Sequence, residues 1–364
     1  GNKIFYSYHI VLYNRSFVTG HTGFMGSWLC RILTNLGADV TGYALTPPTV
    51  PSLFELAHIK NDINSVIGDI RDFDRLKTVF DETQPEIVFH LAAQPIVREG
   101  YKNPAVTYET NVMGTVNILE CIRTSNCVKS FINVTTDKVY KNREWQWGYR
   151  ENEELNGFDP YSNSKSCSEL VTQSYKNSFL NTKGIAVSTM RVGNIIGGGD
   201  FANERIIPDC VRAAIDGEDI VIRNPISIRP YQHVLEAVYV YLMIGAMQYD
   251  NIKYANSYNV GPDDDSCIPT GLLADLFVKY WDSDIKWVKG NSDGPHEANI
   301  LKLDCSLLKS TLGWKKIWNI EKTVKKTVEW YKCYIQNGDV KKEMDRQITD
   351  YIEDIKRYIC QNNE

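Results

Sequence analysis

Short β-branched and apolar runs alternate with helical periodicity through the first half of the chain, the pattern of successive strand–helix–strand units. Ser16-Phe17-Val18-Thr19 reads as a strand and runs directly into Gly20-His21-Thr22-Gly23-Phe24-Met25-Gly26. Apolar spacing then predicts a helix over 24–36, closed by Gly37, and strands over 40–45 and 65–67. A helix over 73–80, a buried strand over 86–91, a long amphipathic helix over 106–123 and a strand over 130–135 follow. Beyond a helix around Tyr161, one more strand is expected over 185–190. This succession predicts an α/β fold: a Rossmann-type, doubly wound parallel sheet that binds its ligand at the carboxyl ends of the strands.

Past that strand the pattern loosens. Gly197-Gly198-Gly199-Asp200, Arg223-Asn224-Pro225 and Gly261-Pro262-Asp263-Asp264-Asp265 read as loops between shorter elements. The expected organisation is a dinucleotide-binding domain over 1–191, a smaller substrate-binding domain over 192–340 interleaved with segments that return to the sheet, and a helical tail over 341–364.

With 364 residues, 43% hydrophobic and 23% charged, the chain can bury a sizeable core and has the composition of an ordinary soluble protein. A net charge of -5 without a Lys/Arg block argues against nucleic acid as a partner. The nine cysteines are odd in number and scattered, with no C-x-x-C, so neither a disulfide framework nor a metal site is expected and a reducing cytoplasm fits. Cys30 and Cys167 fall in predicted helices and read as small core residues. The partly apolar stretch 4–13 is too short and too polar to span a membrane, and is expected to pack beside the first strand.

Tyr161 and Lys165, in Asp159-Pro160-Tyr161-Ser162-Asn163-Ser164-Lys165, share one helix face. Lowering a phenol from a pKa near 10 to neutrality takes about 4 kcal/mol of preferential stabilisation of the phenolate. A neighbouring ammonium and the positive end of a helix capped by Asp159 or Ser162 are placed to supply it. The glycine turn gives this pair its meaning. Its G-x-x-G-x-x-G spacing lets backbone approach a pyrophosphate and aims helix amides at it. Gly20, Thr22, Gly23, Phe24, Met25 and Gly26 are therefore candidate cofactor contacts. Asp69 and Ile70 are candidates for the adenine end, and Ala92 and Ala93 follow the next strand. The acidic residue usual at the end of the second strand is missing from Tyr43-Ala44-Leu45, so NAD versus NADP stays open on residues alone. Thr135-Thr136-Asp137-Lys138 places a carboxyl and an amine side by side at a strand end. They read as an acid and a base, or equally as a capped strand end with a salt bridge.

These residues resemble the extended short-chain dehydrogenase/reductase superfamily and, within it, the CDP-glucose 4,6-dehydratases. The likeness extends over 17–330. It is most specific in Thr19-Gly20-His21-Thr22-Gly23-Phe24, Trp145-Gln146-Trp147-Gly148-Tyr149-Arg150-Glu151, Asn194-Ile195-Ile196-Gly197-Gly198-Gly199-Asp200, Arg229-Pro230-Tyr231-Gln232-His233-Val234 and Pro295-His296-Glu297-Ala298. The segment from Leu45 to Glu55 matches as well.

The resemblance implies a tightly held NAD and CDP-glucose as substrate. Its product would be a 4-keto-6-deoxy sugar for surface polysaccharide, made by a homodimer. It implies Tyr161 with Lys165 as the base at the 4-hydroxyl, Thr136 as that hydroxyl's partner, Asp137 as the acid at C6 and Lys138 as a candidate base at C5. Most sugar-nucleotide 4,6-dehydratases carry glutamate where Lys138 stands. Gln94 and Arg98 match positions facing the sugar or its phosphates, and Asn194, Arg205, Arg229 and His296 those gripping the nucleotide and diphosphate. Met25 replaces a common lysine, and Phe201 and Tyr231 replace tryptophans. A 4-epimerase, or a catalytically silent dinucleotide-binding protein, are the competing readings.

Overall fold

In the computed structural model, residues 14–282, 284–291 and 300–361 are described. The stretch 4–13 and the Pro295–Ala298 motif, with His296, lie outside them. Seven parallel strands form one sheet: β1 (Arg15–Thr19), β2 (Asp39–Ala44), β3 (Asn64–Ile67), β4 (Ile87–His90), β5 (Ser130–Val134), β6 (Ala186–Val192) and β7 (Ser257–Val260), in the order β7-β6-β5-β4-β1-β2-β3. Strand order reverses between β1, which pairs β2, and β4, which pairs β1 from the other side. This is the switch point at which such sheets bind ligands. β4, β5 and β6 are buried along their whole length, as strands covered by helices on both faces require.

The helices used below are α1 (Phe24–Asn35), α2 (Phe73–Thr83), α3 (Gly114–Thr124), α4 (Pro160–Tyr175), α5 (Ile206–Asp216), α6 (Val234–Asp250), α7 (Thr270–Trp281), α8 (Ile320–Ile335) and α9 (Val340–Gln361). Gly37 takes φ +83° just past α1, a conformation that costs glycine nothing and stops the helix. The single helix expected over 106–123 is modified. Pro104–Tyr108 leads into a five-residue π-helical turn, Glu109–Met113, and then α3. That turn presents Asn111 to the sheet's carboxyl edge. Its Oδ1 accepts from Gln94 N at 2.8 Å, and its Nδ2 donates to Ser164 Oγ at 2.9 Å.

β7 was not expected as a strand. It is four residues long and its Asn259 is buried, with Oδ1 accepting from the Tyr140 hydroxyl at 2.6 Å, so it carries little apolar signal. Among the described residues, no helix is long and apolar enough to cross a membrane, and no group of three or more His, Cys, Asp or Glu is placed to hold a metal. All nine cysteines are unpaired.

The tail helix α9 docks by charge as well as apolar packing: Arg31 bridges Asp345 at 2.6 Å and Asp62 at 3.1 Å. Glu236, buried on α6, ties this layer to the sheet. One oxygen accepts from the Ile317 and Trp318 amides at 3.0 and 2.6 Å, and the other from the Tyr351 hydroxyl at 2.9 Å. Burial raises its pKa to about 7 against these donors. Between about 4.5 and 7 the folded chain therefore binds more protons than the unfolded chain, so stability falls as pH rises through that window. The contribution is on the order of 3 kcal/mol. Glu236→Gln is expected to flatten that slope and raise the midpoint of thermal unfolding at pH 8; an unchanged slope between pH 5 and 8 would contradict it.

Candidate active site

The glycine turn lies at the carboxyl end of β1, between β2 and β4. Gly20 takes φ +78°, and a Cβ there would meet Ala92 N at 2.8 Å. A Cβ on Gly26 would stand 2.2 Å from the Gly20 carbonyl. Close backbone approach is thus built in at both positions. Gly23 is the N-cap residue of α1 and offers no side chain, so the first-turn amides at Phe24 and Met25 carry no side-chain cap. Thr22 Oγ donates to Leu45 O at 2.8 Å and closes the turn onto β2. Thr19 Oγ receives the Leu91 and Ala92 amides, both at 3.1 Å, and brings Ala92 and Ala93 beside the turn. An uncapped helix N-terminus behind a side-chain-free backbone cradle fits a pyrophosphate. At the next strand end, Asp69 is engaged by Arg71 through both carboxylate oxygens, with the Arg71 amide at 2.9 Å, while Ile70 is buried and packs where a Gly114 Cβ would go.

The second cluster forms where β5 ends beside the start of α4. Asp159 caps α4, accepting from Ser162 N at 3.0 Å, which settles the cap on Asp159 rather than Ser162. Tyr161 and Lys165 follow on one face, both buried. Lys165 Nζ donates to the Val134 carbonyl at 3.0 Å. Its pKa is lowered to about 8 by burial, opposed by Glu169.

The Tyr161 phenol is pushed up by burial. The leading charge opposing that is Lys138, with the Thr136 hydroxyl as hydrogen-bond partner and Arg205 beyond. Lys138 thus joins Lys165 and the helix end as a charge facing the phenol, while Lys165 Nζ is engaged by the Val134 carbonyl.

Thr136, Asp137 and Lys138 lie just past β5, at the start of a single 3₁₀ turn. Thr136 Oγ donates to Asp137 Oδ1 at 3.0 Å, and Lys138 Nζ reaches the same oxygen at 2.9 Å. The Asp137 side chain is 0% exposed and that of Lys138 32%. Asp137 Oδ2 has no hydrogen-bond partner among the described residues. The salt bridge of the bland reading is present, but its carboxylate is buried against Tyr161 rather than lying on the surface.

The remaining predicted contacts divide. Arg205 pairs with Asp200 at 2.9 Å and lies within electrostatic reach of Tyr161, and Arg98 pairs with Glu204 at 3.4 Å. Asn194 Oδ1 is buried without a hydrogen-bond partner among the described residues. Gln94 spends its amide locally, donating to Thr107 Oγ at 3.0 Å and accepting from Ile96 N at 2.6 Å, so it shapes the loop. Arg229 is buried and donates to the Ile228 carbonyl at 3.0 Å. Sequence reading overlooked Asn111 and the buried pair Glu169–Arg191, at 2.9 Å. Glu169 continues the Tyr161–Lys165 face by one more turn, and that spacing was a usable signal.

Fold and site together define an extended short-chain dehydrogenase/reductase: a phosphate-cradling turn at β1 facing a buried Tyr–Lys helix. The sequence model of the family described as GDP-mannose 4,6 dehydratase matches residues 17–327. Over 344 residues the chain is 47% identical to CDP-glucose 4,6-dehydratase of Salmonella typhimurium, covering 93% of this chain and 96% of the relative. Among solved structures it is similar to UDP-glucose-4-epimerase of Stenotrophomonas maltophila, with TM-score 0.78 and 19% identity over 90% of this chain and all of the other. It is likewise similar to dTDP-glucose 4,6-dehydratase of Bacillus anthracis in complex with NAD, with TM-score 0.72 and 20% identity over 88% and 96% of the two chains. At these identities the structures speak to the fold alone. The chain belongs to the GDP-mannose 4,6 dehydratase family.

Proposed function

We propose that the chain is an NAD-dependent hydro-lyase that converts CDP-glucose to CDP-4-keto-6-deoxyglucose and water. The observation that carries this reading is the pairing of Lys138 with the buried Asp137 beside Tyr161, which a 4-epimerase has no use for. The 47% identity to a CDP-glucose 4,6-dehydratase supports the substrate.

The turn at Gly20–Gly26 would hold the pyrophosphate of NAD, which when bound supplies the acceptor for the C4 hydrogen and the donor that returns it to C6. Tyr161, assisted by the Lys165 ammonium, takes the proton of the sugar 4-hydroxyl, and Thr136 orients that hydroxyl. The resulting ketone acidifies the C5 hydrogen. Elimination then needs a base at C5 and an acid at C6. Moving one proton across the 2.9 Å bond from Lys138 Nζ to Asp137 Oδ1 gives both, a free amine and a carboxylic acid. Lys138 removes the C5 proton, Asp137 protonates the departing 6-hydroxyl, and the C5 proton is restored as hydrogen returns to C6.

Arg98, Arg205 and Arg229 would supply cationic forks for the diphosphate, and Asn194 an acceptor for the sugar or base, with residues 192–340 as the sugar-nucleotide lobe. Exposed Val106, Met113, Leu170 and Phe179, on the helices around α3 and α4, fit a homodimer face; light scattering at the monomer mass would contradict it. Unpaired cysteines suit the cytoplasm.

Product formed in D₂O is expected to carry deuterium at C5. Product with hydrogen retained there would overturn the elimination. Lys138→Met is expected to slow elimination by about 10²–10⁴-fold. Product formation near the parent rate would rule out its role as base.

A further inference from the structure

We propose that Glu169 is a positioning residue for this reaction: through Thr135 and Arg191 it fixes the catalytic turn against α4, and its charge balances the buried Lys165. The inference rests on the reading of Tyr161, Lys165 and Asp137 as the reacting groups. Tyr161, Lys165 and Glu169 are spaced i, i+4, i+8 on one helix, so one face presents phenol, ammonium and carboxylate in succession.

Glu169 is 3% exposed, and both its oxygens are used. Oε1 accepts from Thr135 Oγ at 2.5 Å, and Oε2 from Thr189 Oγ at 2.7 Å and Arg191 Nη2 at 2.9 Å. Thr135 directly follows β5, and Thr189 and Arg191 lie in the middle and second half of β6. Thr135 directly precedes Thr136-Asp137-Lys138, so the bond to Glu169 sets where that turn begins relative to the Tyr161 helix. Thr135 is held from the other side as well, its amide donating to Met190 O at 2.8 Å. Arg191 is anchored in turn by the Tyr140 hydroxyl at 2.9 Å and the Glu151 carbonyl at 2.8 Å.

A buried ion pair contributes little net stability against an apolar pair of the same volume. Its placement under the reacting groups makes better sense as geometry and charge control. Lys165 is fully buried, and beyond the Val134 carbonyl the charge that favours its ammonium is Glu169. The other titratable groups around this cluster are Tyr161, His90, Arg191, Tyr140 and Glu151. His90 is kept neutral by burial and by Lys165 itself.

The test is the pH dependence of kcat for CDP-glucose turnover by the full chain with NAD⁺, in parent, Glu169→Gln and Thr135→Val. Activity that needs the Lys165 ammonium falls as pH rises through its pKa. Losing the Glu169 charge lowers that pKa, so the alkaline limb of Glu169→Gln is expected to move down by at least one pH unit, and kcat at pH 8 to fall about fivefold or more.

Thr135→Val keeps the ion pair but removes the bond to the turn. It is expected to lower kcat about tenfold, with KM for CDP-glucose and the alkaline limb near parent values. Should Glu169→Gln fail to fold, as judged by thermal unfolding, Thr135→Val decides alone. A parent-like profile in Glu169→Gln, or parent kcat in Thr135→Val, overturns the proposal while Tyr161→Phe remains inactive. An active Tyr161→Phe would instead strike the reading beneath it.

Discussion

Tyr161→Phe lowers kcat for CDP-glucose by about 10³-fold or more while leaving the fold and NAD binding intact. The change removes one oxygen from a ring held between α4 and the Asp137 turn, so shape and packing persist. What would be lost is the group proposed to take the 4-hydroxyl proton, and positioned proton transfer is worth about 10²–10⁴-fold. The phenol is raised by burial before anything binds, and Lys138 and Arg205 are the charges placed to bring it down. Thermal unfolding and calorimetric titration with NAD⁺ separate lost chemistry from lost structure. A variant within tenfold of the parent rate would show that another group accepts this proton.

Asp137→Asn has the second largest expected effect, and it divides the reaction. Asparagine keeps the volume and hydrogen bonds to Thr136 and still lies beside Lys138, but has no proton to give the departing 6-hydroxyl. Water loss is expected to slow by about 10²–10⁴-fold. Oxidation at C4, which depends on Tyr161, is spared in comparison. Acid quench and mass spectrometry should then find the 4-keto sugar nucleotide with its 6-hydroxyl retained. Dehydrated product at the parent rate would remove Asp137 from the role of acid.

Much of this architecture was readable in local pattern. The strand entering the glycine turn, the helix closed by Gly37, and the Asp159-capped helix bearing Tyr161 and Lys165 each depend on contacts within a few residues. Those signals survive in one dimension. The electrostatics did not. Lys138 is near Tyr161 only because β5 ends beside α4, and Glu169 meets Arg191 only because β6 lies next to β5.

Arg98 and Glu204 pair across more than a hundred residues of chain. Asn111 was hidden inside an apolar helical period that the π turn at Glu109–Met113 distorts locally. β7 escaped because a four-residue strand with a buried asparagine lacks an apolar run. Family resemblance supplied the substrate contacts; in the structure Arg205 is paired with Asp200 and the Gln94 amide is committed to its own loop.

The central claim is dehydration of CDP-glucose, and the most direct test is to incubate the purified chain with NAD⁺ and, separately, with CDP-, dTDP-, UDP- and GDP-hexoses, following each sugar nucleotide by mass spectrometry. The expected result is loss of one water from CDP-glucose with no net reduction of NAD⁺. An isomer of unchanged mass, or no conversion of CDP-glucose by a folded, NAD-binding protein, would contradict it.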